Sequence, residues 1–412
     1  MINWAFGLHF YQPATQDEAI IEQILESCYL PLLDILIQEP RLRMSVNISG
    51  SLTLKLSHMK RTDFFTKIQQ LIDTNQIELI NSPLYHPILP LNTSNIWIRQ
   101  LEYNANILHH YYHSYPISLV FPPELATSDT VLQGLNDNYQ AVLVDESSVN
   151  PSFNLSEFPN HFIYRYRGLK LIATSRLLTE VIRSYPTIIN YPSFSKWLNE
   201  KSANNSFVSS INDAEIFGHH YMERLDLMRS IGNDPAVTLW QYSEILKNPP
   251  EEYFEVNTTI PTSWNTYKSD LDNNQSFPLW NRTDNQLQQE YLNLLNFTYE
   301  ALREVPKPKD DAHLIYSSAE KHFDRGTSSC NLYWLSNWPW WNPQIVEDGA
   351  RELIKSIRSL PIKYELKREG EKLYVDFINH LWNYQWSEKP QENYQKFNQF
   401  HQDFIKLLPT LS

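Results

Sequence analysis

The 412-residue chain is 42% hydrophobic and 20% charged, an ordinary balance for a folded protein with a large core. Its 34 Lys and Arg against 47 Asp and Glu give a formal net charge of −13, which argues against nucleic acid or an anionic membrane as partner. Two cysteines, Cys28 and Cys330, exclude a disulfide framework and a cysteine-rich zinc site.

In chain order, residues 3–9 form an apolar run that predicts a buried strand, ending at His9, Tyr11 and Gln12. This early strand leaves no room for a signal peptide, and no apolar run reaches membrane-spanning length, so a cytoplasmic location is expected. Thr15 and Glu18 are spaced as a capping box for a following helix, which Pro31 is expected to kink or end. Strands are predicted at 42–48 and 77–80, the latter running into NSPLYHPILPL at 81–91, where three prolines stiffen a loop carrying His86. A helix over 94–112 and a strand over 117–121 lead to Pro122, Pro123 and Glu124. Residues 139–144 form a fifth strand, 162–166 and 169–173 a hairpin, and 207–211 a last strand leading to Asp213 and Glu215. About seven strands alternating with helices predict an α/β fold, a (β/α)7 barrel, whose strand ends converge on one rim. Beyond residue 222 the strand pattern fades, and helical spacing appears at 222–247, 284–304, 345–358 and 392–408, with a short hairpin expected at 364–377 and a connection at 305–311. The expected division is a catalytic barrel over 1–250 and a helical bundle over 251–412 whose aromatic loops complete the cleft.

The chemistry-bearing residues cluster at the predicted strand ends. Glu124 behind two prolines suits a rigidly placed nucleophile or base, and also suits the N-terminal end of a helix. Asp213 and Glu215 alternate onto one strand face, or serve as a helix N-cap pair. His9, His86, His219 and His220 fit either metal ligation or hydrogen bonds to sugar hydroxyls; no H-E-x-x-H pattern is present. His109 and His113 fit a solvent-facing helix end. The 12 Trp, 24 Tyr and 19 Phe are compatible with stacking on sugar rings, with Trp264 and the Trp334 to Trp341 cluster as candidates, although such clusters also build cores.

Taken together, LHFYQP at 8–13, IELINSPLYHPILPL at 77–91, VFPPE at 120–124, INDAEIFGHH at 211–220 and SSCNLYWLSNWPWW at 328–341 resemble, in order, the five motifs of glycoside hydrolase family 57. SRLLTEVI at 175–182 is similar to a further segment of that family. The resemblance covers essentially the whole chain. It implies a (β/α)7 barrel followed by a helical domain, and a retaining mechanism with Glu124 as nucleophile and Asp213 as acid/base. Sugar contacts are expected from His9, Tyr11, Gln12, Glu78, His86, Glu215, His219, Trp264 and Trp334, with Glu78 and His86 matching the pair that the second motif supplies. The implied substrates are mainly α-glucans, with a few α-galactosides; no cofactor or metal is implied. Departures are Tyr11 where a His usually precedes Q-P, Phe121 and Pro122 where a Trp is usual, D-A-E for D-G-E, and Asn331 near a usual Asp. Two other readings remain open: a non-catalytic glycan-binding relative, and a metal-dependent carbohydrate deacetylase, although no D-D pair follows a strand.

Overall fold

The computed structural model describes residues 1–150, 153, 157–186, 189–219, 223–306, 312–337 and 340–407. His220, Trp338 and most of the expected 305–311 connection lie outside these residues. Ten strands form one curled sheet: β1 (Ile2–Phe10), β2 (Met44–Ile48), β3 (Ile77–Asn81), β4 (Ile117–Val120), β5 (Ala141–Asp145), β6 (Ile163–Tyr166), β7 (Leu169–Thr174), β8 (Val208–Asp213), β9 (Val237–Trp240) and β10 (Phe254–Val256). Their order is β10-β6-β7-β5-β4-β3-β2-β1-β8, with β9 also beside β1, and every pairing is parallel except the β6–β7 hairpin. The strands β1, β2, β3, β4, β5, β7 and β8 curl as the expected incomplete barrel. Across the seam, the Ser175 N–H donates to the Ser209 carbonyl at 2.8 Å.

β1 is the central staple. Trp4, Phe6, Leu8 and Phe10 are fully buried along one face and Ala5 on the other, as expected for a parallel strand covered on both sides. The Trp4 indole N–H donates to Ser210 Oγ on β8 at 2.9 Å, so even its polar edge is satisfied in the core. Helices over the outer faces contribute Ile21, Leu32, Leu36, Phe64 and Leu71 to the same apolar cluster.

Several local expectations need correction. The first helix, Glu18–Ile24, is capped by Asp17, whose carboxylate accepts the Ala19 N–H at 2.7 Å, and not by a Thr15–Glu18 box. Pro31 does not stop the chain. A π turn over Leu25–Tyr29 precedes it, and the helix Leu30–Gln38 continues with Pro31 in its first turn. Widening the coil there accommodates a ring that lacks an N–H and crowds the preceding turn. Strand structure also persists beyond residue 222. β9 pairs with β1 and β10 with β6, each too short to show a period against helical neighbours. The expected hairpin at 364–377 is a helix, Tyr364–Gln385. Its buried positions Gly370, Phe377 and Leu381 recur at helical spacing, and Gly370 lies so close to Ile357 that a Cβ would meet it at 2.8 Å.

The helices Gln286–Glu304, Ala312–Gly326, Pro343–Ser359 and Tyr364–Gln385 bury a second cluster including Tyr291, Leu294, Phe323, Val346, Leu353, Ile357 and Phe377. Ile88, Ile96 and Ala126 from the barrel side join this cluster. Arg99 adds a polar tie, donating to Glu320 at 2.6 Å and to Asp324. These contacts bring the segment just after Gly326 against the rim, where Pro87 bridges to Ser328. Among the described residues, no helix is long and apolar enough to cross a membrane.

Candidate active site

The rim is built by strand register. His9 on β1 pairs with Asp213 at the end of β8 on one side and with Asn47 of β2 on the other. Asn47 Nδ2 donates to the Ile80 carbonyl at 2.9 Å, so its Oδ1 is the acceptor facing His9 Nδ1 at 2.7 Å. This assigns the proton of neutral His9 to Nδ1 and leaves Nε2 an acceptor. Burial lowers the His9 pKa to about 4, so the ring is neutral at pH 7.

His86 lies flat against this ring. Its centroid is 4.9 Å from that of His9 and 4.0 Å from that of Tyr11, both stacked. Its Nδ1 is 2.8 Å from Ser329 Oγ and 4.0 Å from Glu124 Oε1, while Nε2 is buried with no protein partner. Burial and the His9 ring hold its pKa well below the usual imidazole range. Tyr11 turns its hydroxyl to Ser328 Oγ at 2.7 Å.

Glu124 follows β4 in the left-handed conformation, φ 59° and ψ 18°. A side chain held there stores strain, and strain of this kind gathers where geometry matters for function. Pro122 and Pro123 restrict the approach, and the Trp264 backbone N–H holds the Glu124 carbonyl at 3.0 Å. The Trp264 indole N–H donates to Glu124 Oε2 at 2.7 Å. Burial and the charge of Asp213 push Glu124 up to about 8, while Trp264 and Arg183 pull it back. The Tyr11 and Tyr333 phenols and the Cys330 thiol also feel its charge.

Asp213 is pushed up to about 6 by burial, against the pull of Arg183. Glu215 is raised to about 8 by burial and by Asp213. It accepts from Gln12 Nε2 at 2.9 Å and from the Tyr29 hydroxyl. The turn carrying these acids presses on the π turn. Gly218, at φ +128°, passes so near that a Cβ would lie 2.5 Å from the Ser27 carbonyl oxygen.

Not every candidate lies at this centre. Glu78 pairs with Ser45, two residues below the His9–Asn47–Ile80 level, hence about 7 Å down the strand. Its carboxylate accepts from Ser45 Oγ at 2.6 Å and from the Ser243 N–H at 3.0 Å, at the start of the helix Tyr242–Lys247. Glu78→Ala is therefore expected to cost about 1–2 kcal/mol of stability while leaving kcat/KM within about threefold, checked by denaturant unfolding beside activity assays. His219 is half-buried in the turn, with its pKa lowered by burial. Trp334 packs edge-on against Tyr333 and Trp340, at 5.6 and 6.0 Å, and joins the helical cluster. Asn331 is buried against Gly349, with Nδ2 donating to the Gly326 carbonyl at 3.1 Å.

Residues not singled out from the sequence also enter the site. The Tyr333 phenol is raised by burial and feels the charges of both Glu124 and Asp213. Arg183, half-exposed at the end of the helix Arg176–Ser184, is the cation acting on Asp213 and Glu124. Its backbone is fixed by the buried Arg224, which donates to the carbonyls of Arg183, Tyr185 and Ile216. Among the described residues, no group of three His, Cys, Asp or Glu side chains is arranged to hold a metal.

Two interacting carboxyl groups on a barrel rim, walled by neutral imidazoles and aromatic rings, form the kind of site that processes glycosides. Residues 3–256 match the family model of Glycosyl hydrolase family 57, and the chain belongs to that family. It is 32% identical over 114 residues to an alpha-amylase of Pyrococcus horikoshii, covering 25% of this chain and 18% of that protein. It is 30% identical over 88 residues to a 4-alpha-glucanotransferase of Thermococcus litoralis, covering 21% and 13%. The matched stretch thus spans under a fifth of the length of these curated relatives. In three dimensions, the T. litoralis 4-alpha-glucanotransferase superposes with a TM-score of 0.67 at 16% identity, covering 88% of this chain and 60% of that one. A branching enzyme of the family from Thermococcus kodakaraensis gives 0.67 at 14%, covering 91% and 94%. At such identities the likeness establishes the fold.

Proposed function

We propose that this chain is a retaining glycosidase or transglycosylase acting on α-linked glucans, with Glu124 as nucleophile and Asp213 as general acid/base. The observation that carries the reading is that Glu124 and Asp213 stand at the ends of β4 and β8 on one rim, with Trp264 bonded to Glu124 and the charge of Asp213 acting on it. The names of the relatives, amylase and glucanotransferase, supply the substrate class. In the first step Glu124 attacks the anomeric carbon, the glycosidic C–O bond breaks, and the Asp213 proton passes to the leaving oxygen. In the second, Asp213 takes a proton from water or a sugar hydroxyl, whose oxygen displaces the Glu124 ester. His9 Nε2, His86 Nε2 and Gln12 are suited to bind hydroxyls of the reacting sugar. In this reading the catalytic part runs past residue 250, because β10 still belongs to the barrel sheet.

Products from a panel of α-linked oligosaccharides test this directly. The expected result is release or transfer of α-glucosyl units with the anomeric configuration kept, as seen by proton NMR. Inversion, or no turnover of any α-glucan or α-galactoside, would sink it. A glycan-binding relative without catalysis is the second reading. It draws on Tyr11, which stands in place of the usual His and is turned to Ser328. Saturable binding without product would favour it.

A further inference from the structure

The buried pair Asp145–Arg176 lies outside the reacting groups, yet its guanidinium reaches the segment carrying Trp264. Asp145 ends β5 and Arg176 follows β7, so both stand on the same rim as Glu124, with β5 between β4 and β7. The guanidinium is forked onto the carboxylate, Nη2 to Oδ1 at 2.6 Å and Nε to Oδ2 at 3.2 Å. Beyond a 3.3 Å contact of Nη2 with Ser147 Oγ, the guanidinium reaches the two ends of one turn, the Ser263 carbonyl at 2.9 Å and the Thr266 carbonyl. Between those ends, Trp264 meets Glu124 through both its backbone N–H and its indole N–H. Ser147 Oγ, which donates to Asp145 at 2.5 Å, also lies 2.9 Å from Thr262 Oγ1. An arginine only 3% exposed that is forked onto a carboxylate and also donates to two backbone carbonyls of a single turn is built for placement.

We propose that Arg176, oriented by Asp145, is a positioning residue that sets the Trp264 indole on Glu124 and thereby fixes the nucleophile. This rests on the proposed role of Glu124. The test compares Arg176→Lys, which keeps the charge but loses the fork, with Trp264→Phe and the double variant. In Arg176→Lys, kcat is expected to fall about 30-fold with KM little changed, as misplacement of a reacting group does. The acidic limb of kcat/KM should move upward, as in Trp264→Phe, because the carboxylate loses a donor. The double variant should be no worse than Trp264→Phe alone. Multiplying losses with an unmoved acidic limb would overturn the proposal and leave the pair a structural tie. If Arg176→Lys fails to fold, Asp145→Asn, which keeps the volume, decides by the same criteria. A readout independent of catalysis is the near-ultraviolet circular dichroism of Trp264, taken as wild type minus Trp264→Phe. It should titrate with Glu124 and lose that titration in Arg176→Lys. If Glu124→Gln remains active, the assigned nucleophile fails, while this spectral titration still decides the clamp.

Discussion

Glu124→Ala is expected to lower turnover of α-linked oligosaccharides by on the order of 10⁵, the scale seen when an enzyme loses its covalent nucleophile. The physical ground is that little else near the anomeric carbon could form the ester. His9 and His86 are neutral, Tyr11 is turned to Ser328, and Glu215 is engaged by Tyr29 and Gln12. Removing the carboxylate leaves space for a small anion, so azide should restore part of the activity and give a glycosyl azide of inverted configuration. Retained activity in Glu124→Ala would end the assignment. A second consequence concerns stability. The folded-state pKa of Glu124 lies above its unfolded value, so folding favours the protonated form. The cost of keeping it ionised is absent below about pH 4.5, grows as pH rises through that value, and is complete above about 8. Glu124→Gln, inactive but uncharged, should therefore melt above wild type at pH 8 and close to it at pH 4. Scanning calorimetry at the two values reads this, and equal melting temperatures at both would contradict the burial argument.

Much of this centre could be read from the chain because it sits at strand ends. Apolar runs that stop in polar residues mark β1, β4 and β8, and parallel strands bring their C-terminal ends together whatever lies between. That logic makes Glu124, Asp213, His9 and Gln12 candidates for one rim. A motif fixes order along the chain but not depth along a strand, and Glu78 lies two residues below the level of His9. Tyr333 and Arg183 were out of reach for another reason. One lies in a short helix, Ser329–Tyr333, brought to the rim by packing of the helical cluster, and the other ends a helix whose exit is fixed by Arg224. Neither placement follows from local periodicity. The 22-residue helix over Tyr364–Gln385 shows the converse failure. Its K-L-Y-V-D-F run alternates like a strand, and only burial against Ile357 and its neighbours reveals the longer period.

Asp213→Asn should discriminate between substrates by their leaving groups. On natural α-glucans, whose departing sugar oxygen needs a proton, the loss is expected to be about 10³-fold, within the usual range for a general acid. On an α-glucoside with an acidic phenol as leaving group, bond breaking needs no proton, so the first step should slow far less and the glycosyl-enzyme should accumulate as a burst. The pH profile adds an independent constraint. In the substrate-free cleft burial lifts Glu124 to about 8 and Asp213 to about 6, the reverse of the order that double displacement needs. The charge of Asp213 acts on both Glu124 and Glu215, so the protons leave in steps that belong to the cluster. The singly protonated pair dominates between about pH 6 and 8 wherever the proton rests. Positive charge developing at the anomeric carbon then favours an ionised Glu124 and moves the proton to Asp213. Wild-type kcat/KM should therefore follow a bell between those limits, rising as the first proton leaves and falling as the last one does. Asp213→Asn removes the group whose deprotonation ends activity, so the alkaline limb should vanish on the activated substrate while the acidic limb stays. A falling limb that survives in Asp213→Asn would assign the acid to Glu215, whose carboxyl is raised to about 8 in the same cluster.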